Sequence, residues 1–329
     1  MSNLNKKDYE LFKKIVSLSQ KELKSGLEKI VKNVYKDKTI ITKDYIVGIG
    51  DIPIALVAHM DTVFPIPVKD LYYDKEKNIM WSPQGLGADD RAGVFAILKI
   101  LQSNLRPSVI FTTDEEKGGL GASKLGKIEC PIKGLKYLIE LDRRGEDDCV
   151  FYDCDNAEFF QYIANFGFSL RWGTFSDISF LMSDWKVCGV NLSIGYENEH
   201  CSIETLNITH MKNTIKKVKK MLMEEEIPTF EYKEYVYPVT YSSVNNKSLL
   251  EENIKRTFSS TTCKCGGCKK EFDEFDVYPV RCKDYKTKDY CIDCLCKKAE
   301  WCLNCGEAYE RAPGSKNNLC PDCEELFDV

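Results

Sequence analysis

The stretch IPIALVAHMDTV, residues 52–63, decides how the rest of the chain is read. Its first seven residues are unbroken apolar sequence rich in Ile and Ala and read as a buried strand, and His59 and Asp61 follow directly at the strand's end. Three more runs share this build: SVIFTT (108–113), KYLIEL (136–141) and VCGVNLSI (187–194). Between and after them, AGVFAILKILQS (92–103), NAEFFQYIANF (156–166) and TLNITHMKNTIKKVKKMLMEE (205–225) carry apolar residues at helical spacing, and residues 8–33 predict one or two amphipathic helices ahead of the first strand. Strands alternating with helices imply an α/β layer architecture with a mixed or largely parallel sheet.

The whole chain sets the bounds. Its 329 residues exceed what one hydrophobic core usually holds, so two domains are expected. With 43% hydrophobic and 29% charged residues it has the balance of a globular protein, and no run approaches the ~18 apolar residues of a membrane span. The start, MSNLNKKDYELFKKIV, interleaves charge with apolar residues and lacks a secretory core, which makes a cytoplasmic location the expectation. A net charge of −5 argues against chain-wide attraction to nucleic acid or to an anionic membrane. The 16 cysteines are unevenly spread: five (Cys130, Cys149, Cys154, Cys188 and Cys201) precede residue 260, and eleven crowd between Cys263 and Cys323. The reading is a domain over 1–225, a linker over 226–262, and a cysteine-rich domain over 263–329.

Chemistry gathers at the strand ends, the edge where α/β sheets place ligands. His59 suits a metal ligand, with Asp61 as the carboxylate that holds its ring angle and tautomer. The run GLGADDRAG (85–93) puts Asp89 and Asp90 at a helix start, where acids serve as caps or, with two oxygens, bridge two cations. The run IFTTDEEKG (110–118) closes a strand with three consecutive acids; crowded there, they need a cation or a raised pKa. Glu116 then suits a ligand and Glu115 a base for an activated water. Strand 136–141 leads to Asp142, with Glu140 on the same strand face as an alternative, and GYENEH (195–200) brings His200. Acids and imidazoles converging from successive strand ends are what a two-metal site requires.

Taken in order, His-x-Asp-Thr, Gly-Ala-Asp-Asp-x-Ala-Gly, Thr-x-Asp-Glu-Glu-x-Gly, a later Asp and a late His resemble the co-catalytic zinc exopeptidases: leucyl-type aminopeptidases, peptidase T and related carboxypeptidases. The resemblance spans residues 50 to 205 and implies a three-layer α/β sandwich around a mixed, mostly parallel sheet. By position it implies His59 and Asp142 on one Zn2+, Glu116 and His200 on the other, Asp89 bridging, Asp61 orienting His59, Glu115 as general base and Asp90 as a cap. Cobalt or manganese would suit the same donors. The implied activity is that of an aminopeptidase or dipeptidase on a peptide substrate. Its alternatives are an amide deacylase on acyl-amino acids and a non-catalytic scaffold. Only 57 residues separate Asp142 from His200, so the dimerisation insert of the carboxypeptidase branch is absent. Asp177, Arg143 and Tyr196 are candidates for substrate contacts, and His210 is expected to pack or to face solvent.

The tail carries Cys265-x-x-Cys268, Cys291-x-x-Cys294, Cys302-x-x-Cys305 and Cys320-x-x-Cys323. Paired CxxC units at these spacings fit tetrahedral four-cysteine sites of zinc-ribbon type, about two structural Zn2+ in all, with Cys263, Cys282 and Cys296 left over. From 263 to 329 there are 11 Lys and Arg against 14 Asp and Glu, which favours a protein partner over nucleic acid.

Overall fold

The structure is a computed structural model and describes residues 3–235, 262–273, 277–282, 284, 286–301, 308–310 and 321. The chain divides into two compact units, Met1–Val244 and Asn245–Val329.

The first unit opens with α1 (Lys6–Val16) and α2 (Gln20–Tyr35). They are two helices because Ser19 starts a new one through a reciprocal cap with Glu22. There follow β1 (Thr39–Ile41), β2 (Tyr45–Gly48), β3 (Ile52–His59), β4 (Tyr72–Asp74), β5 (Ile79–Trp81), α3 (Ala88–Leu101), β6 (Pro107–Thr112), α4 (Leu120–Gly126) and β7 (Tyr137–Arg143). Then come β8 (Asp148–Val150), α5 (Ala157–Ala164), β9 (Ser169–Leu170), α6 (Asp177–Trp185), β10 (Cys188–Ser193), β11 (Tyr196–Glu197), β12 (Thr205–Asn207) and α7 (Ile208–Leu222).

The large sheet runs β1-β2-β6-β3-β7-β10-β8-β9. Its four central strands are mutually parallel, β8 and β9 are parallel to each other, and β1–β2, β2–β6 and β10–β8 are antiparallel, so the sheet is mixed and mostly parallel. Helix α3 lies on β3 and β7 with α1 and α7 against it, and α6 lies on β3, β7 and β10 with α4 beside it. The layers close on a core that includes Phe12, Phe95, Phe111, Tyr137 and Phe159, all fully buried or nearly so. The expected α/β architecture is the one observed. Register matters most for function: His59 pairs with Thr112, and Val57 with Glu140. Since parallel strands advance together, Asp142, two residues past Glu140, stands level with His59.

Two local expectations change. Residues 205–207, expected as the start of a helix, form β12 in a second sheet of order β11-β12-β5-β4. The helix begins only at Ile208, because Asn207 caps it by accepting from the N–H of Thr209 (2.9 Å) and of His210 (3.3 Å). Residues 226–235, read as the start of a linker, pack on the first unit. Glu231 bridges to Val187 and Glu234 to Cys154, while the Phe230 ring joins those of Tyr137, Phe159 and Tyr162.

The second unit holds a hairpin of β13 (Thr262–Lys264) and β14 (Glu271–Asp273). It also holds β15 (Val277–Arg281), β16 (Thr287–Cys291), α8 (Ile292–Lys298), β17 (Ala299–Trp301) and β18 (Ala308–Glu310), with sheet order β16-β15-β18-β17. Among the described residues no helix is long and apolar enough to cross a membrane.

Candidate metal centre

Three strand ends and two loops deliver the expected side chains to one place. His59 ends β3, fully buried. Its Nε2 stands 2.9 Å from Asp89 Oδ1 and 3.7 Å from Asp142 Oδ1. Asp89 lies in the irregular first turn of α3, just after Gly87, which takes a left-handed φ of 63°. The other Asp89 oxygen, Oδ2, lies 3.2 Å from His200 Nε2, and Glu116 Oε2 lies 3.1 Å from the same nitrogen. One carboxylate thus stands between two imidazoles, each of which has a further carboxylate beside it. His200 reaches in from the loop after β11 with a φ of 62°, its side chain 52% exposed, so the centre is open on that side.

Asp61 ties two loops together. Its oxygens accept from the backbone N–H groups of Glu115 and Glu116, both at 3.1 Å, and its Oδ1 is 3.3 Å from His59 Nδ1. Asp114, with a φ of 57°, turns the chain after β6 into the single helical turn Glu115–Lys117, which places Glu115 half-buried at the edge of the cluster.

The electrostatics are those of an acid cluster that wants positive charge. Burial raises Asp142 to about 7, and the Asp89 charge adds to this. Burial likewise raises Glu115 to about 9, with His59 working against it and Asp142 and Asp177 with it. His200 is pushed up to about 11 by its contacts with Asp89 and Glu116. Burial opposes a charged His59, yet Asp142, Asp61 and Asp89 together hold its pKa well above the ordinary value. The donor set fits divalent cations geometrically as well. Ligands about 2.0–2.1 Å from a tetrahedral ion stand about 3.3 Å from one another, and the four ligand pairs here measure 2.9, 3.7, 3.2 and 3.1 Å. His59, Asp89 and Glu116 each offer a donor atom within 4.8 Å of the other two.

The remaining sequence candidates fall elsewhere. Asp90 is a cap, accepting from the N–H of Gly93 at 2.9 Å. Glu140 is wholly buried below Asp142, and burial, then Asp142 and Asp177, push its pKa well up. Tyr196 is buried at the centre's flank, and its hydroxyl donates to Asp142 Oδ1 at 3.0 Å. Asp177, at the head of α6, is also fully buried and accepts from the Thr112 hydroxyl, so its carboxylate serves the interior. Arg143 donates to the Trp172 carbonyl at 3.2 Å, and His210 sits beside Glu146 at 3.4 Å, outside the cluster.

Sequence reasoning gave none of the following groups the role of holding these side chains; it reads Ser176 only as a substrate contact or a helix cap. Ser176 donates to Asp142 Oδ2 at 3.1 Å. Asn191 brackets the Asp142 backbone, accepting from its N–H at 2.9 Å and donating to its carbonyl at 2.7 Å. Glu204, with no exposed surface, accepts from the N–H groups of Gly87 and, at 3.0 Å, Asp89, pinning the turn that carries the central carboxylate. An acid four residues past His200 in a polar loop gives no pattern by which to find it.

No sequence-family profile and no curated protein matches the chain. Solved structures do. A TET aminopeptidase from the marine sediment archaeon Thaumarchaeota archaeon SCGC AB-539-E09 is similar at 12% identity and a TM-score of 0.54, over 68% of this chain and 98% of that one. A tripeptidase from Staphylococcus aureus is similar at 15% identity and a TM-score of 0.50, over 67% and 98%. The chain shares the fold of these peptidases.

A second group of donors lies in the second unit. Cys265, Cys268, Cys291 and Cys294 bring their sulfurs within 4.8 Å of one another. The Sγ atoms of Cys268 and Cys291 are 3.9 Å apart, and thiolates about 2.3 Å from a tetrahedral zinc would stand about 3.8 Å apart. Burial pushes the Cys265 thiol up, but N–H groups of Cys268, Cys291 and Gly267 aimed at it bring it down to about 6. Gly267 is needed at its place, because a Cβ there would stand 2.7 Å from Cys294 Sγ. Cys302, Cys305, Cys320 and Cys323 lie outside the described residues.

Proposed function

We propose that the chain is a metal-dependent exopeptidase, an aminopeptidase or dipeptidase, with two divalent cations, zinc being the expected ion, held by His59, Asp89, Asp142, Glu116 and His200. The observation that carries this is Asp89. Its two oxygens face two different imidazoles, at 2.9 and 3.2 Å, and each imidazole has its own second carboxylate, Asp142 or Glu116. Two half-sites sharing one bridging acid need two ions. The likeness in fold to an aminopeptidase and a tripeptidase supports the choice of substrate class.

When bound, such a pair of cations supplies Lewis acidity toward a scissile carbonyl and acidifies a water molecule. The protein's own part is proton handling and alignment. Glu115, half-buried beside the cluster, would be returned to its carboxylate form by the positive charge of the bound cations, and then takes the proton of the attacking water and returns it to the leaving amine. Asp61 keeps that turn in register with His59 by accepting from the N–H groups of Glu115 and Glu116. Ser176, Tyr196 and Asn191 hold Asp142 so that one oxygen faces His59.

In the second unit we assign Cys265, Cys268, Cys291 and Cys294 to one structural zinc, whose binding would contribute much of that small unit's folding free energy.

The test is metal content together with one substitution. The protein loaded with zinc should cleave di- or tripeptides, lose activity on mild chelation, and regain it with added Zn2+. Glu115→Gln should keep the wild-type metal content and lose about 10²–10⁴-fold in kcat. A Glu115→Gln protein that cleaves peptide at near the wild-type rate would remove Glu115 from its role, and cleavage of acyl-amino acids but of no peptide would overturn the substrate class.

A further inference from the structure

The elbow between α1 and α2 is bonded to both of the turns that bear the central acids. Ser19 opens α2 through its reciprocal cap with Glu22, which makes the half-buried Gln20 the first residue of the helix. On one side, the carbonyls of Ile15 and Leu18 accept from Nη1 of the buried Arg91, at 2.9 and 3.0 Å, and Arg91 stands two residues past Asp89. On the other side, Gln20 meets Asp114 twice. Its Oε1 accepts from the Asp114 N–H at 3.1 Å, and its Nε2 donates to Asp114 Oδ1 at 3.4 Å. The start of α2 thus holds, from 94 residues away in the chain, the residue directly before Glu115.

Asp114 is where such a hold matters. Its φ of 57° and ψ of 41° lie in the left-handed region, where a Cβ is crowded and which glycine enters far more readily than aspartate. The N–H groups on either side are committed elsewhere, Thr113 to the Asp44 carbonyl at 3.0 Å and Glu115 to Asp61 Oδ1 at 3.1 Å, so the acceptor for the Asp114 N–H comes from α2. The side chain's other partner, the Lys117 ammonium at 2.8 Å, is 70% exposed and contributes little. If Asp114 left the left-handed region, the chain after β6 would depart in a different direction and Glu115 would swing away from the cluster. Glu116 would be restrained by the cation it is placed to ligate. Glu115 has no such anchor and depends on its backbone, that is on Asp61 and on the turn Asp114 begins.

We infer that Gln20 is a positioning residue for the general base: by bonding both the N–H and the carboxylate of Asp114 it keeps that residue left-handed and so keeps Glu115 at the edge of the cluster. The inference rests on the reading of the chain as a metal-dependent hydrolase with Glu115 as its base. The α1–α2 hairpin, which supplies no ligand, then governs turnover. Arg91 joins its elbow to the turn that bears Asp89, Gln20 joins it to the turn that bears Glu115, and the two turns keep one spacing through it.

The experiment uses the full-length, zinc-loaded chain with Leu-Leu, Leu-Gly-Gly and N-acetyl-leucine as substrates. In Gln20→Ala the new residue is a good helix former and the cap between Ser19 and Glu22 is untouched, so α2 survives. Its kcat should fall about tenfold, with KM within about twofold and the metal content per chain unchanged, because the ligands stay in place and only the base is displaced. Rescue separates this from a merely structural effect. Glycine enters the left-handed region without penalty, so on an Asp114→Gly background Gln20→Ala should lower kcat less than threefold, whereas a helix loosened at its start would lower it equally on both backgrounds. Wild-type kcat in Gln20→Ala, a loss of metal or a tenfold rise in KM with it, or an undiminished fall on the Asp114→Gly background overturns the inference and leaves the hydrolase reading standing. Cleavage of N-acetyl-leucine but of neither peptide overturns the substrate class, and the same kcat ratios, read on that substrate, still decide the role of Gln20. Cleavage of none of the three overturns both.

Discussion

Glu204→Gln tests the least visible part of the site. Glu204 has no exposed surface and its two oxygens accept from the N–H groups of Gly87 and Asp89, in a turn whose left-handed Gly87 leaves those donors no helical partner. A glutamine of the same shape keeps one acceptor and turns an NH2 toward the other donor. A buried N–H deprived of its acceptor costs about 1–3 kcal/mol. The expected loss is therefore about 1–3 kcal/mol, a shift of about 0.5–1.5 M in the urea midpoint for a slope of about 2 kcal/mol/M. Because the same turn carries Asp89, metal affinity should fall by about 10–100-fold, the usual cost of losing a group that orients a ligand. Urea unfolding followed by circular dichroism measures the first effect, and competition with a chromophoric chelator the second. Leu206→Ala serves as a control: it is buried on neighbouring β12 and makes none of these bonds, so it should destabilise the protein and leave metal affinity within about twofold. A Glu204→Gln protein with unchanged midpoint and affinity, or a control with equally weakened metal binding, would refute the reasoning.

Other substitutions separate the parts of the centre. Asp89→Asn, which replaces one bridging oxygen with an amide, should lower the metal content of the first unit by at least one ion per chain, read by mass spectrometry of the metal after gel filtration. Asp61→Asn should keep both ions and lower kcat about 10–100-fold, since it loosens His59 and the Glu115 turn; loss of metal would instead make Asp61 part of the ligand set. Cys268→Ser or Cys294→Ser should cost one zinc per chain and cause proteolysis confined to the second unit, with peptide cleavage by the first unit retained. For those thiolates the pH dependence has a definite sign. Zinc requires them deprotonated, and Cys265 has its pKa lowered to about 6 by backbone N–H groups, so acidification from pH 7 to pH 5 should release this zinc, measured with a zinc-responsive dye.

The amino-acid sequence by itself determined the class of the sheet and most of the side chains that gather at its edge. The largely apolar runs 52–58, 108–113 and 136–141 could be read as buried strands because strands of a mostly parallel sheet are covered on both faces and carry no polar alternation. The same strands lift their polar tails to one edge, so His59, Asp89, Glu115 and Glu116 were legible from local patterns alone. The choice of Asp142 over Glu140 rests, in the sequence, on its place at the strand's end alone. Both lie on one face of β7, and only the register of β7 against β3 sets Asp142 level with His59 and buries Glu140 beneath it.

Tertiary structure also decided what supports the ligands. Tyr196 and Asp177, read as possible substrate contacts, are turned inward by packing, one onto Asp142 and the other onto Thr112. Glu204 joins the site across 115 residues of chain, and its loop leads into β12, a strand with helical-looking sequence that pairs with β11 and β5. Side-chain spacing along one segment records which face that segment buries. It carries no record of what a distant segment will press against that face, because that depends on strand order and register, which are settled only when the whole sheet closes.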